Sequence, residues 1–268
     1  MAAAGGAHWS SRFAFLMASV GFAVGLGNIW RFPYVTGENG GAAFALVSLA
    51  CAVGTGVPTL MAELSIGRRG QGSPPSAMAK VATESGKSRH WQWVGGMGLL
   101  AAYTIEIVYA VVVGWVLWYF FKAVTTGFSG VDGLAAEAEF AAVLDSNLGM
   151  MMWTLVGLAI TGLIVYAGVK DGIERAVRVM MPTMFILLLG LACYNVFAGG
   201  FQQAIAWLFT PDFSKIGFDT VLAAVGQAFF SIGVAMAGMM VYGAYLPKSI
   251  SITHSVLIIV VADTGVAL

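Results

Sequence analysis

With 268 residues, 59% of them hydrophobic and only 10% charged, the chain is far too apolar for a soluble domain, where charged residues reach about 25%. The formal net charge is +0 and no basic tail is present, which argues against nucleic acid as a partner. Cys51 and Cys193 both fall in apolar segments and read as small buried hydrophobes, not as a disulfide or metal pair.

At a rise of 1.5 Å per residue, about 20 residues cross the hydrocarbon core. Apolar segments of that order are residues 13–32, 41–66, 94–121, 149–168, 180–198 and 221–246, with an incomplete seventh at 250–268. The first of these lacks the basic–apolar–small order of a cleaved signal, so it is expected to be retained. It also carries its own breakers: Gly21, Gly25 and Gly27, followed by Asn28, Arg31 and Pro33. A helix broken at bilayer depth leaves N–H and C=O groups unpaired, at several kcal/mol each, unless the freed backbone lines a cavity. One broken end offers amides to an anion and the other offers carbonyls to a cation.

Residues 67–91 are Gly/Ser/Pro-rich around GQGSPPS and predict a loop with a short interfacial helix near 77–82. The stretch 125–148 is a second loop, bearing Asp132, Glu137, Glu139 and Asp145. In the sixth apolar segment, Gly233 and Gly238 flank a second candidate break. With the N-terminus inside, ten Lys and Arg residues fall on inner segments and three, Arg31, Lys122 and Lys215, on outer ones. That asymmetry gives an N-in, multi-pass topology in a cell membrane.

Three carboxylates lie within apolar runs: Glu63, Glu106 and Asp263. Asp263, in LIIVVADTGVAL, costs about 2.5–3.5 kcal/mol on insertion scales unless it finds a partner. It is either a ligand-binding group or a solvated carboxylate near the end of the chain. Glu106 is open between a pocket group, a proton-coupling group and a helix–helix hydrogen bond. No nucleophile–base pair accompanies these acids, so no enzyme is expected and no organic cofactor.

The stretch VGLGNIWRFPYVTGENGGAAF (24–44) resembles the first-helix signature of the neurotransmitter:sodium symporter family, particularly its bacterial amino-acid transporters. GVKDGIERA (168–176), FTPDFSKI (209–216) and GQAFFSIG (226–233) extend the similarity over essentially the whole chain. Family members are much longer. The resemblance therefore implies an all-α membrane domain truncated to roughly the first half: residues 1–200 as the first five-helix repeat and 201–268 as the start of the second, inverted one. Helices one and six would be broken at mid-membrane. The activity implied for the parent is sodium-coupled symport of a neutral, hydrophobic or aromatic amino acid by alternating access, with this chain inactive alone. A half-size channel or structural subunit that assembles with another chain is the competing reading.

The resemblance also assigns roles. The amides of Leu26 and Gly27 and the hydroxyl of Tyr109 would hold a substrate carboxylate. Phe22, Ile105, Gly233 and Met236 would line the side-chain pocket, under Phe230 as a lid. Ala23, Asn28, Ser231 and Asp263 would hold a first sodium ion, Asp263 standing where asparagine is frequent. Gly21 and Val24 would contribute to a second, incomplete sodium site. Arg31, Glu63 and Trp9 would be structural or gating residues, Glu63 tethering the broken helices. Gly25 stands where monoamine members carry aspartate, which implies an amino-acid substrate. Ser48 replaces a chloride-binding tyrosine, which implies chloride independence. The segment before Trp9 lacks the family's upstream gate arginine, which puts inner-gate closure in question.

Overall fold

The computed structural model describes residues 9–268, so the expectation about the gate arginine lies outside the described residues. It divides into two compact units, one of residues 9–99 with Val169–Leu268 and the other of Leu100–Gly168.

The larger unit opens with α1 (Arg12–Ala23), started by the Ser11 hydroxyl, which accepts from the Ala14 amide at 3.1 Å. A π-helical turn at Gly27–Arg31 follows and runs into α2 (Phe32–Glu38). The axis bends by 43° between the two halves. Helices α3 (Ala42–Cys51) and α4 (Val57–Gly70) join through a second π turn at Ala52–Gly56 into one stretch of 29 residues. Gln71, left-handed at φ 50°, ends α4, and Pro74 at the first helical position starts α5 (Pro74–Glu84). The interfacial helix expected at 77–82 is thus longer by several residues at its start. Helix α6 (Gln92–Thr125) begins in this unit and continues in the other.

After the smaller unit, a π turn at Val169–Glu174 leads into α9 (Arg175–Ala198), so this span begins eleven residues before the expected 180. Lys170, Asp171 and Glu174 disguise the turn as a loop, because their charges mask a helix that hydropathy alone would extend. Helices α10 (Phe201–Phe209), α11 (Phe218–Ile232), α12 (Gly238–Ala244) and α13 (Ile252–Ala267) complete the unit. The smaller unit consists of the rest of α6 with α7 (Gly133–Asp145), capped by Asp132, and α8 (Asn147–Tyr166). There α6 and α8 pack closely at Gly114, where an added Cβ would meet Thr154 Oγ1 at 2.7 Å.

By length and apolarity alone, four helices among the described residues can cross a membrane, or five if the bent pair α1–α2 counts as one. The remaining expected spans are the shorter apolar helices α11 and α13. Residues 221–246 do not form one continuous helix. Gly233 caps α11 at φ 70°, and Ala235 and Ala237 are left-handed at φ 66° and 58°. A single core of α1, α4, α11, α12 and α13 side chains, including Phe15, Leu60, Leu64, Ile232, Met239 and Ile259, surrounds both breaks. Helix α12 lies so close on α4 that a Cβ at Gly67 would meet Met240 O at 2.1 Å.

An L-residue in the left-handed region costs about 1 kcal/mol or more. Ala235 is exposed, so its methyl contributes little packing. Ala235→Gly is therefore expected to raise the melting temperature of the purified chain slightly, part of the gain being offset by glycine's larger unfolded-state entropy. A clear fall in melting temperature would show that the alanine methyl holds the break in place.

Candidate functional site

The first break is built by Asn28. Helix α1 stops because Val24 turns extended (φ −79°, ψ 112°), its amide returning to Val20 O at 2.7 Å. Asn28 Oδ1 accepts from the Gly25 amide at 3.1 Å, and the amides of Asn28 and Ile29 fold back onto Gly25 O at 3.1 and 3.2 Å. The other end of the same side chain reaches two distant elements. Its Nδ2 donates to Ser231 Oγ on α11 at 3.1 Å, and to Asp263 Oδ1 and O on α13 at 2.8 and 2.9 Å. Ser231 Oγ lies 3.0 and 3.1 Å from Asp263 Oδ1 and Oδ2 and donates into that carboxylate.

Asp263 is 3% exposed and Asn28 1%. Among the described residues, no ion pair includes Asp263, and its side-chain partners are a neutral amide and a neutral hydroxyl. A carboxylate buried this deeply with neutral partners alone is incompletely compensated, and a small cation among the same oxygens would complete it. Beside it lies a cavity of about 120 Å³ whose lining includes Ser48, Gln227, Ser231, Asp263 and Thr264. Among the described residues, the buried Ser48 hydroxyl has no hydrogen-bond partner.

Around this cluster, Gln227 Nε2 donates to Gly27 O at 3.1 Å, while its Oε1 accepts from Arg31 Nη1. The Arg31 guanidinium sits 4.7 Å from the Phe230 ring centre, and that ring lies against Gly27, where a Cβ would stand 3.3 Å away. At the second break, the buried Glu63 accepts the Ala235 amide at 2.7 Å through Oε1. The Phe22 ring fills the space left by Gly233 and Gly238, where added Cβ atoms would stand 2.6 and 2.3 Å from it. Its edge meets Tyr242 at 5.6 Å between centres. Met236 Cε also approaches Gly233, and Gly21 faces Met181 Sδ.

Trp9 is buried; its indole donates to Tyr242 O at 3.1 Å and its amide to Tyr245 O at 3.3 Å. Ser10 follows with two bonds to Glu174, one from the amide at 3.2 Å and one from the hydroxyl. The residues expected to act together thus divide. Asn28, Ser231 and Asp263 meet at hydrogen-bond distance, and Ala23, Val24, Leu26 and Gly27 line the adjoining break. Ile105 and Tyr109 are half-buried on α6 in the other unit, and Glu106 is exposed there. Gln227, Ser10 and Glu174 were not foreseen. An amide inside the apolar run of α11 was the available signal for Gln227; Ser10 and Glu174 meet across 164 positions and gave none.

The Sodium:neurotransmitter symporter family model matches residues 6–131 and 140–268. An uncharacterized sodium-dependent transporter of Bacillus subtilis is 36% identical over 260 residues, which is 97% of this chain and 57% of the relative. One of Haemophilus influenzae is 32% identical over 266 residues, 97% of this chain and 58% of the relative. The crystal structure of MhsT in complex with L-phenylalanine superposes with a TM-score of 0.89 at 38% identity, covering 98% of this chain and 59% of that one. The chain therefore spans a little over half the length of these proteins. With a buried asparagine–serine–aspartate cluster joining its first helix break to α11 and α13 and a family match over nearly its whole length, the chain belongs to the sodium:neurotransmitter symporter family.

Proposed function

We propose that this chain supplies the ion- and substrate-binding core of a sodium-coupled symporter for a neutral, hydrophobic or aromatic amino acid. The observation that carries the reading is Asp263, buried among neutral partners beside the break of the first helix. Hard cations prefer oxygen ligands. Asp263, Ser231 and the carbonyl of Ala23 offer them, and Asn28 is assigned to the same site beside them. Gly21 and Val24 carbonyls are the contribution to a second sodium ion. The relatives named as sodium-dependent support a cation of this kind.

The substrate carboxylate is assigned to the amides of Leu26 and Gly27. A sodium ion held by Asp263 next to that carboxylate would couple the two ligands through a Coulomb term larger than in water. Phe22, Gly233 and Met236 are assigned to the side-chain pocket and Phe230 to its lid. The bound L-phenylalanine of the MhsT structure supports an apolar side chain. Arg31, bridging Gln227 and Phe230, is in position to steady that lid. Glu63 would tether the second break and Trp9 the inner gate. Alternating access then amounts to the broken helices moving about the shared cluster.

In a chain extended to the length of these relatives, binding of radiolabelled phenylalanine is expected to tighten at least about tenfold with sodium, a typical coupling of 1–3 kcal/mol. Replacing chloride with gluconate is expected to change nothing. Phenethylamine binding better than phenylalanine would contradict the carboxylate assignment. The N-in orientation is tested separately with a cysteine at Ser73. Impermeant thiol reagents are expected to reach it only in inverted vesicles, and labelling from outside intact cells would reverse the topology.

A further inference from the structure

The smaller unit holds a second cavity, of about 300 Å³, with no part in the reading above. Its lining comes from α6, α7 and α8 and includes Trp115, Trp118, Trp153, Met150, Lys122 and Glu139. Lys122 and Glu139 form an ion pair whose side chains are 23% and 20% exposed, so the pair is neither on open surface nor sealed.

Lys122 lies near the last turn of α6, one of the helices able to span a membrane, and the indoles cluster beside it. A lysine with tryptophans at the end of an apolar helix marks the headgroup level of a bilayer. The volume is at the small end for ligand cavities, which suits a headgroup and not a whole lipid. One cation and one anion face this space. A purely anionic ligand would leave Glu139 opposed, and a purely cationic one would leave Lys122 opposed. A quaternary ammonium would need free indole faces, yet the Lys122 ammonium already stands 5.7 Å from Trp118 and 5.4 Å from Phe128. Trp115 and Trp153 are likewise engaged, by Phe140 and Phe121.

We infer that this cavity binds a zwitterionic headgroup carrying a primary ammonium, as in a phosphatidylethanolamine of the adjoining leaflet. The phosphate would take Lys122 and the ammonium would take Glu139. Each charge of the existing pair keeps an opposite partner.

The purified chain, stripped of lipid, can be titrated with synthetic lipids and read by native mass spectrometry. Phosphatidylethanolamine should be retained at least about five-fold over phosphatidylcholine and phosphatidylglycerol, the effect of one hydrogen bond to a charged group. Glu139→Gln should erase that preference, whereas Lys122→Gln should lower retention of all three. Glu139→Asp keeps the charge and should keep a reduced preference, which guards against loss of fold in the glutamine variant. Equal retention of the three lipids by the unaltered chain would overturn the assignment. Displacement of the lipid by millimolar free phenylalanine would overturn it too, in favour of a soluble zwitterion.

Discussion

The contact on which the larger unit depends is the Asn28 side chain. One of its ends caps the freed Gly25 amide, and the other ties α11 and α13 together through Ser231 and Asp263. In an apolar core an unpaired amide costs about 1–3 kcal/mol by mutational measure, so a break without such a cap would close back into helix or unfold. Glu63 does the same for the Ala235 amide at the second break, and Gln227 adds a second donor to the Gly27 carbonyl, which also accepts the Phe32 amide. At the first break a local cap from Asn28 and backbone bonds to Val20 and Gly25 are joined by side chains of α11 and α13, and at the second break Glu63 of α4 supplies the acceptor.

That arrangement makes ion binding a structural event. Asn28, Ser231 and Asp263 belong to the first broken helix, to the segment before the second break, and to α13. Anything that draws their oxygens inward alters the contacts among all three. The aromatic sequence from Phe22 through Tyr242 to Trp9, with ring centres 5.6 and 5.4 Å apart, runs from the first break to the start of the described chain. The Ser10–Glu174 bonds then fasten that end to the π turn before α9.

Hydropathy made the apolar segments legible, and the glycines at 21, 25 and 27 marked the first break. Gly233 and Gly238 marked the second, but Ala235 and Ala237 carry left-handed backbone there that no propensity assigns to alanine. The turn at Val169–Glu174 was hidden by its charges. The Asn28–Ser231–Asp263 cluster spans separations of 203 and 235 residues, beyond the reach of any periodicity, and came forward only through family resemblance. Gln227 shows the opposite failure. It stood in the motif that drew attention, yet the glycine and phenylalanines beside it were read first.

The central claim is that Asp263 supplies charge to a sodium site at the junction of the broken helices. Its most direct test is a sodium titration of phenylalanine binding in a chain extended to the relatives' length, with Asp263→Asn beside the unaltered protein. Asparagine keeps the size and one oxygen but removes the charge. Sodium affinity should fall at least about tenfold, the equivalent of 1.4 kcal/mol, with the melting temperature in sodium-free buffer little changed. Equal sodium affinity in the two proteins would make Asp263 a purely structural acceptor for Asn28 and Ser231 and would contradict the claim.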